Sequence, residues 1–152
     1  MKKKILLTLL ALFVIIQFIR PSRNLSAEMS TNDISRHFTV PDTVKSILSR
    51  SCNDCHSNNT IYPWYTNIQP FGWWMQNHVN VGKAGLNFSE FASYTPKRQL
   101  KKLEELIELV KKGAMPINSY LWIHTDSKLN QHDKELLIKW AESLQSGITN
   151  DQ

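Results

Sequence analysis

Residues 51–57, S-C-N-D-C-H-S, hold both cysteines of the chain, Cys52 and Cys55, with His56 directly after the second. Four chemistries compete for such a stretch: a local disulfide, part of a zinc site, a redox dithiol and a covalent haem attachment site. A structural zinc ion takes four nitrogen or sulfur ligands at close spacing. Only three are present here, and adjacent residues such as Cys55 and His56 do not easily reach one tetrahedral ion. A thioredoxin-type dithiol follows a strand and opens a helix in a βαβ unit. The residues before Cys52 read instead as a helix, because P-D-T-V-K-S-I-L-S-R-S puts Val44, Ile47 and Leu48 on one face. What remains is C-x-x-C-H as a haem attachment site. In that chemistry each thiol forms a thioether to one porphyrin vinyl group, and the next imidazole turns under the iron. A chance C-x-x-C closing a local disulfide stays as the alternative.

Haem attachment of this kind takes place outside the cytoplasm, so an export signal is expected. Residues 1–21, M-K-K-K-I-L-L-T-L-L-A-L-F-V-I-I-Q-F-I-R-P, supply one: three lysines and an apolar run from Ile5 to Ile19 broken only by Thr8 and Gln17. The best cleavage site for a signal peptide is Leu25-Ser26-Ala27, where Leu25 is too large for the usual small-residue pattern. An uncleaved anchor is therefore preferred. As helix the run is roughly 22 Å long against a hydrocarbon core of roughly 30 Å, which leaves Lys2 to Lys4 and Arg20 to bridge the difference by snorkelling. Lysines before the run put the remainder of the chain on the outer, periplasmic side of the inner membrane.

The charge balance also separates this end from the rest. The net charge is +5 and the pI about 9.3. Five of the eighteen basic residues lie in residues 1–23, which contain no acidic residue. Thirteen basic residues then face thirteen acidic ones in the remainder. Nucleic-acid binding needs a basic footprint on the folded part, so no nucleic-acid partner is expected. The organisation expected is a signal anchor or signal peptide over 1–20, a polar tether over 21–40, one domain over 41–146 and a tail over 147–152.

Within the domain the signals are helical. Helices are predicted at 42–51, at 69–86 with Pro70 in its first turn and its end near Gly82 or Gly85, and at 96–113 from Pro96 to Gly113. A last one runs over 130–145, with Ser127 or Asn130 as cap. In the third, Leu100, Leu103, Leu106, Ile107 and Val110 recur at helical spacing; in the last, Leu136, Leu137, Trp140 and Leu144 point inward. No useful length alternates as a strand does. The fold class expected is all-α, a cytochrome c-like helical domain around one covalently attached haem, preceded by an N-terminal membrane segment.

Iron in an electron carrier commonly takes a second axial ligand. Met115, in K-K-G-A-M-P-I-N-S-Y, is favoured because a residue before proline is held out of the α region, which aims a flexible side chain. His124 is the alternative distal ligand, and otherwise a hydrogen-bonding partner. His78 and an open site rank below them, Met75 reads as core filling, and His37 and His132 as solvated. Trp64 and Tyr65 belong to an aromatic cluster (Pro63-Trp64-Tyr65, Phe71, Trp73, Trp74) close enough to the attachment site to pack on a porphyrin.

Three separated blocks, C-N-D-C-H-S-N-N-T-I-Y-P-W-Y, H-V-N-V-G-K-A-G-L-N-F-S-E-F and G-A-M-P-I-N-S-Y-L-W-I-H, resemble the bacterial haem-binding domain family of small monohaem c-type proteins. The resemblance covers approximately residues 41–145, and I-Q-F-I-R-P looks like the leader of membrane-tethered members. It implies haem c, one per chain, with thioethers at Cys52 and Cys55, His56 as proximal ligand and Met115 as distal ligand. His124 also matches a family position. Lys83 stands where arginine is usual and Phe91 where tryptophan is usual.

The expected function is that of a membrane-tethered periplasmic monohaem cytochrome passing electrons to a redox partner protein, a carrier rather than a catalyst. A haem sensor or peroxidase-like protein with a displaceable distal ligand is the second reading, although no Arg–His pair stands out for peroxide cleavage. A haem-free module closed by a disulfide is the third.

Overall fold

The computed structural model describes residues 1–150, and all regular structure among them is helical. Eight α-helices run in the order α1 (Lys2–Ile16), α2 (Ile34–His37), α3 (Asp42–Ser51), α4 (Asn53–His56), α5 (Phe71–Gly85), α6 (Pro96–Lys111), α7 (Asn118–Leu121) and α8 (Gln131–Asn150). Three 3₁₀ segments, Trp64–Asn67, Phe88–Ser93 and Thr125–Ser127, fill the connections.

The long helices begin and end where local chemistry dictates. Pro41 caps α3, and Asp42 in its first turn faces the positive end of the helix dipole. Thr95 caps α6 by accepting a hydrogen bond from the Arg98 N–H, with Pro96 preorganised at the first position. The same helix stops at Gly113, whose φ of 66° suits glycine. Gly113 N–H donates to Val110 O and Ala114 N–H to Leu109 O, a Schellman closure. At α8, Asn130 Oδ1 accepts from Asp133 N and Asp133 Oδ2 accepts from Asn130 N, a reciprocal capping box. Asp133 also receives Arg50 from α3 at 2.8 Å.

The core lies where α6 and α8 pack along each other and α3 crosses α8. Val44, Ile47 and Leu48 of α3, Leu103, Ile107 and Val110 of α6, and Leu137, Trp140, Ala141 and Leu144 of α8 are buried together with Phe88 and Phe91. Leu100, Leu106 and Leu136 pack on its margin. The helix at 42–51 has the limits expected of it, and the stripes on α6 and α8 face inward as their spacing requires.

The structure differs from the sequence reading at three points. The stretch 21–40 is not a free tether. Ile34 and Val40 join the core, Asn32 O accepts from Ala92 N, and Asn24 is bonded to the loop after α4. Its polar composition reflects side chains that bridge distant backbone groups, a use that looks like solvation in a linear reading. Second, no helix among the described residues is long and apolar enough to cross a membrane. Of the apolar run, Ile5–Ile16 fold into α1, which is fifteen residues or about 22 Å long, and the helix ends where Gln17 turns back to the domain. Third, α8 continues through Asn150, so residues 147–150 of the expected tail are helical, and residues 151–152 lie outside the described residues.

Candidate functional site

Cys52 sits between two helices. Its N–H completes α3 by donating to Leu48 O, and its own φ and ψ of −131° and −43° break the helix. Its carbonyl then accepts from both Cys55 N–H and His56 N–H, which starts α4. One turn of helix after a one-residue break therefore carries both cysteines and the histidine, and both thiols are free.

Helix α5 lies against this turn, and Gly82 makes that approach possible. A Cβ at Gly82 would stand 2.5 Å from the Cys55 carbonyl oxygen and 3.0 Å from the Cys55 Cβ. Beyond α5 the chain brings Leu86 O to 2.9 Å from His56 Nδ1. A carbonyl only accepts, so Nδ1 carries the proton and the lone pair of the neutral ring is on Nε2. Burial lowers the His56 pKa, opposed by the Leu86 and Gly82 carbonyls. A neutral imidazole with Nδ1 tied to a backbone oxygen is the state a metal-ligating histidine adopts.

The thiols are held protonated. Burial, and then the neighbouring Cys55, push Cys52 up to about 12; burial, and then Asp54, push Cys55 up to about 11. Since the thiolate is the nucleophile, the haem-free chain should react with iodoacetamide at pH 8 about a hundredfold more slowly than an exposed cysteine peptide. The rate should climb steeply as the pH is raised toward 11. Alkylation at the peptide's rate would contradict this burial.

Cys55 opens onto a narrow apolar cleft lined by Tyr65, Trp74, Met75, His78, Ile117, Tyr120 and Ile123. A polar chain borders it. Tyr65 Oη and His124 Nε2 are 2.9 Å apart, His124 stacks on Tyr120 at 4.3 Å, and Tyr120 Oη donates to Asp54 Oδ2 at 2.7 Å. Burial, together with the hydrogen bond to Asp54, raises the Tyr120 pKa. Around the cleft, large apolar side chains remain uncovered: Trp64 is 75% and Trp122 79% exposed, and Ile123 and Trp74 are also exposed. Exposed apolar surface of this extent beside a cleft marks a binding site.

The site residues expected from the sequence fall into two groups. Cys52, Cys55 and His56 are together on the α4 turn, Tyr65 lines the cleft, and Trp64 neighbours Tyr65 edge-on at 6.1 Å. Met115 is half-buried in the loop after α6, before a cis peptide bond to Pro116. It is two residues ahead of Ile117, and does not itself line the cleft. His124 reaches the site through Tyr65, whereas His78 lines the cleft with Nδ1 on Trp74 O at 2.8 Å.

Sequence reasoning missed Asp54, Tyr120, Gly82 and Asn24. Asn24 Nδ2 donates to Ser57 O and Thr60 Oγ1, its carbonyl accepts from Thr60 N, and its side-chain oxygen accepts from Lys83. It thereby ties the loop after His56 to α5. Only Asp54 had a signal, its place inside the motif.

The profile of the haem-binding domain family matches residues 11–143. Neither the curated proteins nor the solved structures contain a match to the chain.

Proposed function

The chain belongs to the haem-binding domain family, and on that footing we propose that it is a membrane-tethered monohaem c-type cytochrome that transfers single electrons on the periplasmic side of the inner membrane. The observation that carries the reading is the α4 turn itself: two free thiols and a neutral imidazole with an unprotonated Nε2, on one turn beside an apolar cleft. These residues fit a haem by their chemistry. The thiols of Cys52 and Cys55 are the groups that would fasten it, His56 Nε2 would ligate its iron, and the exposed aromatic rim is surface that a flat apolar group would cover.

Bound there, haem supplies an iron centre that gains and loses one electron. The chain's own residues do the rest. Leu86 O fixes the His56 ring and raises its basicity. Gly82 lets α5 close against Cys55, and Tyr65, Trp74 and Ile123 contribute the walls of the cleft. Met115 is proposed as the distal ligand, supported by its half-buried position next to the cleft-lining segment that starts at Ile117. The tether is proposed to be α1, in which no residue is buried against the domain and Lys2–Lys4 precede the apolar run. An electron-accepting or electron-donating protein in the same compartment is the proposed partner.

A potentiometric titration of the haem-loaded full chain, followed by visible absorbance, is expected to give one one-electron wave. Met115→Ala should abolish the sulfur-to-iron charge-transfer absorbance and lower the potential, because a thioether ligand raises it. Absence of that band from the unaltered protein, with a spectrum unchanged in Met115→Ala and low-spin absorbance lost in His124→Ala or His78→Ala, would move the ligand to that histidine. Rapid carbon monoxide binding by the unaltered protein would instead favour a sensor or peroxidase-like role.

A further inference from the structure

We infer that the domain is seated on the lipid bilayer in one fixed orientation, through the edge at which the N-terminal helix leaves it. The inference rests on the proposed role of α1 as membrane anchor and adds a docking surface to it. From Ile5 to Ile16 that helix is apolar except for Thr8, and none of its residues is buried against the rest of the chain. Its apolar part, Ile5–Ile16, makes about 18 Å of helix, roughly 12 Å less than a hydrocarbon core of about 30 Å. The helix alone is too short, and the edge of the domain supplies further apolar depth.

Phe18 and Ile19 follow α1 and are 84% and 59% exposed; Ile68 and Phe71, at the start of α5, are 38% and 53% exposed. Two backbone clamps make these pairs neighbours. Gln17 Oε1 accepts from Gln69 N at 2.8 Å while Gln17 Nε2 donates to Gln69 O at 3.3 Å. Trp73 Nε1 donates to Ile19 O at 2.8 Å. A helix clamped to the domain within three residues of its end cannot swivel freely. If the helix enters the bilayer, the surface around its exit must face the bilayer too.

The chemistry of that surface suits lipid. Tryptophan and arginine are interfacial residues: the ring of Trp73 lies at headgroup level, and Arg20 and Arg23 reach lipid phosphates. Arg23 is presented there by Asn67 Oδ1 at 2.6 Å and by the Tyr62 ring at 4.9 Å. An apolar face seated in the interface sinks about 5–10 Å, which makes up most of the shortfall of the helix, and Lys2–Lys4 snorkel across the remainder. Gln17, otherwise an unfavourable interruption of the apolar run, becomes the residue that sets the orientation.

The test uses the haem-loaded full chain in vesicles of phosphatidylethanolamine and phosphatidylglycerol doped with a diazirine-bearing phosphatidylcholine. Lipid adducts are mapped by peptide mass spectrometry after illumination. Adducts are expected on α1 and also on residues 67–74. In Gln17→Ala the adducts on 67–74 should fall at least fivefold while those on α1 persist. Adducts on α1 with none on 67–74, or a 67–74 yield unchanged by Gln17→Ala, would overturn the docking surface and leave the anchor standing. No adducts on α1 would remove the anchor, and the docking surface with it.

Discussion

Gly82→Val should lower the stability of the haem-free domain by about 3 kcal/mol, the upper part of the range for overpacking a tight contact, as read from urea unfolding. The valine would place Cβ 2.5 Å from a carbonyl oxygen and 3.0 Å from the Cys55 Cβ. Neither neighbour is the end of a flexible side chain, so α5 must move away from α4. That movement also withdraws Leu86 O from His56, so haem loading should fall in parallel. Gly85→Ala provides the contrast. It is the last residue of the same helix, and nothing lies within 4 Å of its added Cβ. It should be neutral or gain up to about 1 kcal/mol, because alanine is the better helix former and restricts the unfolded chain. Equal effects at the two glycines would mean that the α4–α5 contact does not have the closeness described.

His56→Ala should reduce low-spin haem per chain at least tenfold, measured by visible absorbance of purified full-length protein. The substitution removes the one imidazole on the α4 turn and leaves both thiols in place. Cys52 and Cys55 can therefore still fasten a haem, but its iron lacks the imidazole that makes it low-spin. His37→Ala and His132→Ala alter exposed residues and should leave the absorbance unchanged. Retention of the low-spin band in His56→Ala would contradict the assignment of His56 as proximal ligand.

The long helices were legible because their signals are local and periodic. Pro41-Asp42 starts α3, Thr95-Pro96 starts α6, and Gly113 with its positive φ ends it. The α4 turn was legible as chemistry: a C-x-x-C-H run names its own use. What stayed hidden depends on partners far away in sequence. Asn24 bonds Ser57, Thr60 and Lys83, between 33 and 59 positions on. Asn32 meets Glu90, and Gln17 meets Gln69. Such single polar contacts carry no period, so residues 21–40 read as a tether from composition. The family match begins at residue 11, well before the boundary that composition suggested at 41.

The aromatic cluster was legible as a group, yet its division was not. Tyr65 and Trp74 line the cleft while Trp64 faces outward and Trp73 points to the end of the N-terminal segment. Neighbouring residues in a short turn and the helix after it diverge in direction, and only the fold decides which ring faces what. The same holds for the distal side. Proline after Met115 fixes that residue locally, but the side chains that reach the cleft, Met75 and His78 among them, are set by the crossing of α5 over α4.

The most direct test weighs the full chain, made together with a haem-ligation system and denatured before intact-mass spectrometry. The expected mass is that of the polypeptide plus one haem, and the added haem should be lost when Cys52 and Cys55 are both replaced by alanine. A colourless product at the mass of the bare chain, or two hydrogens lighter from a Cys52–Cys55 disulfide, would contradict it.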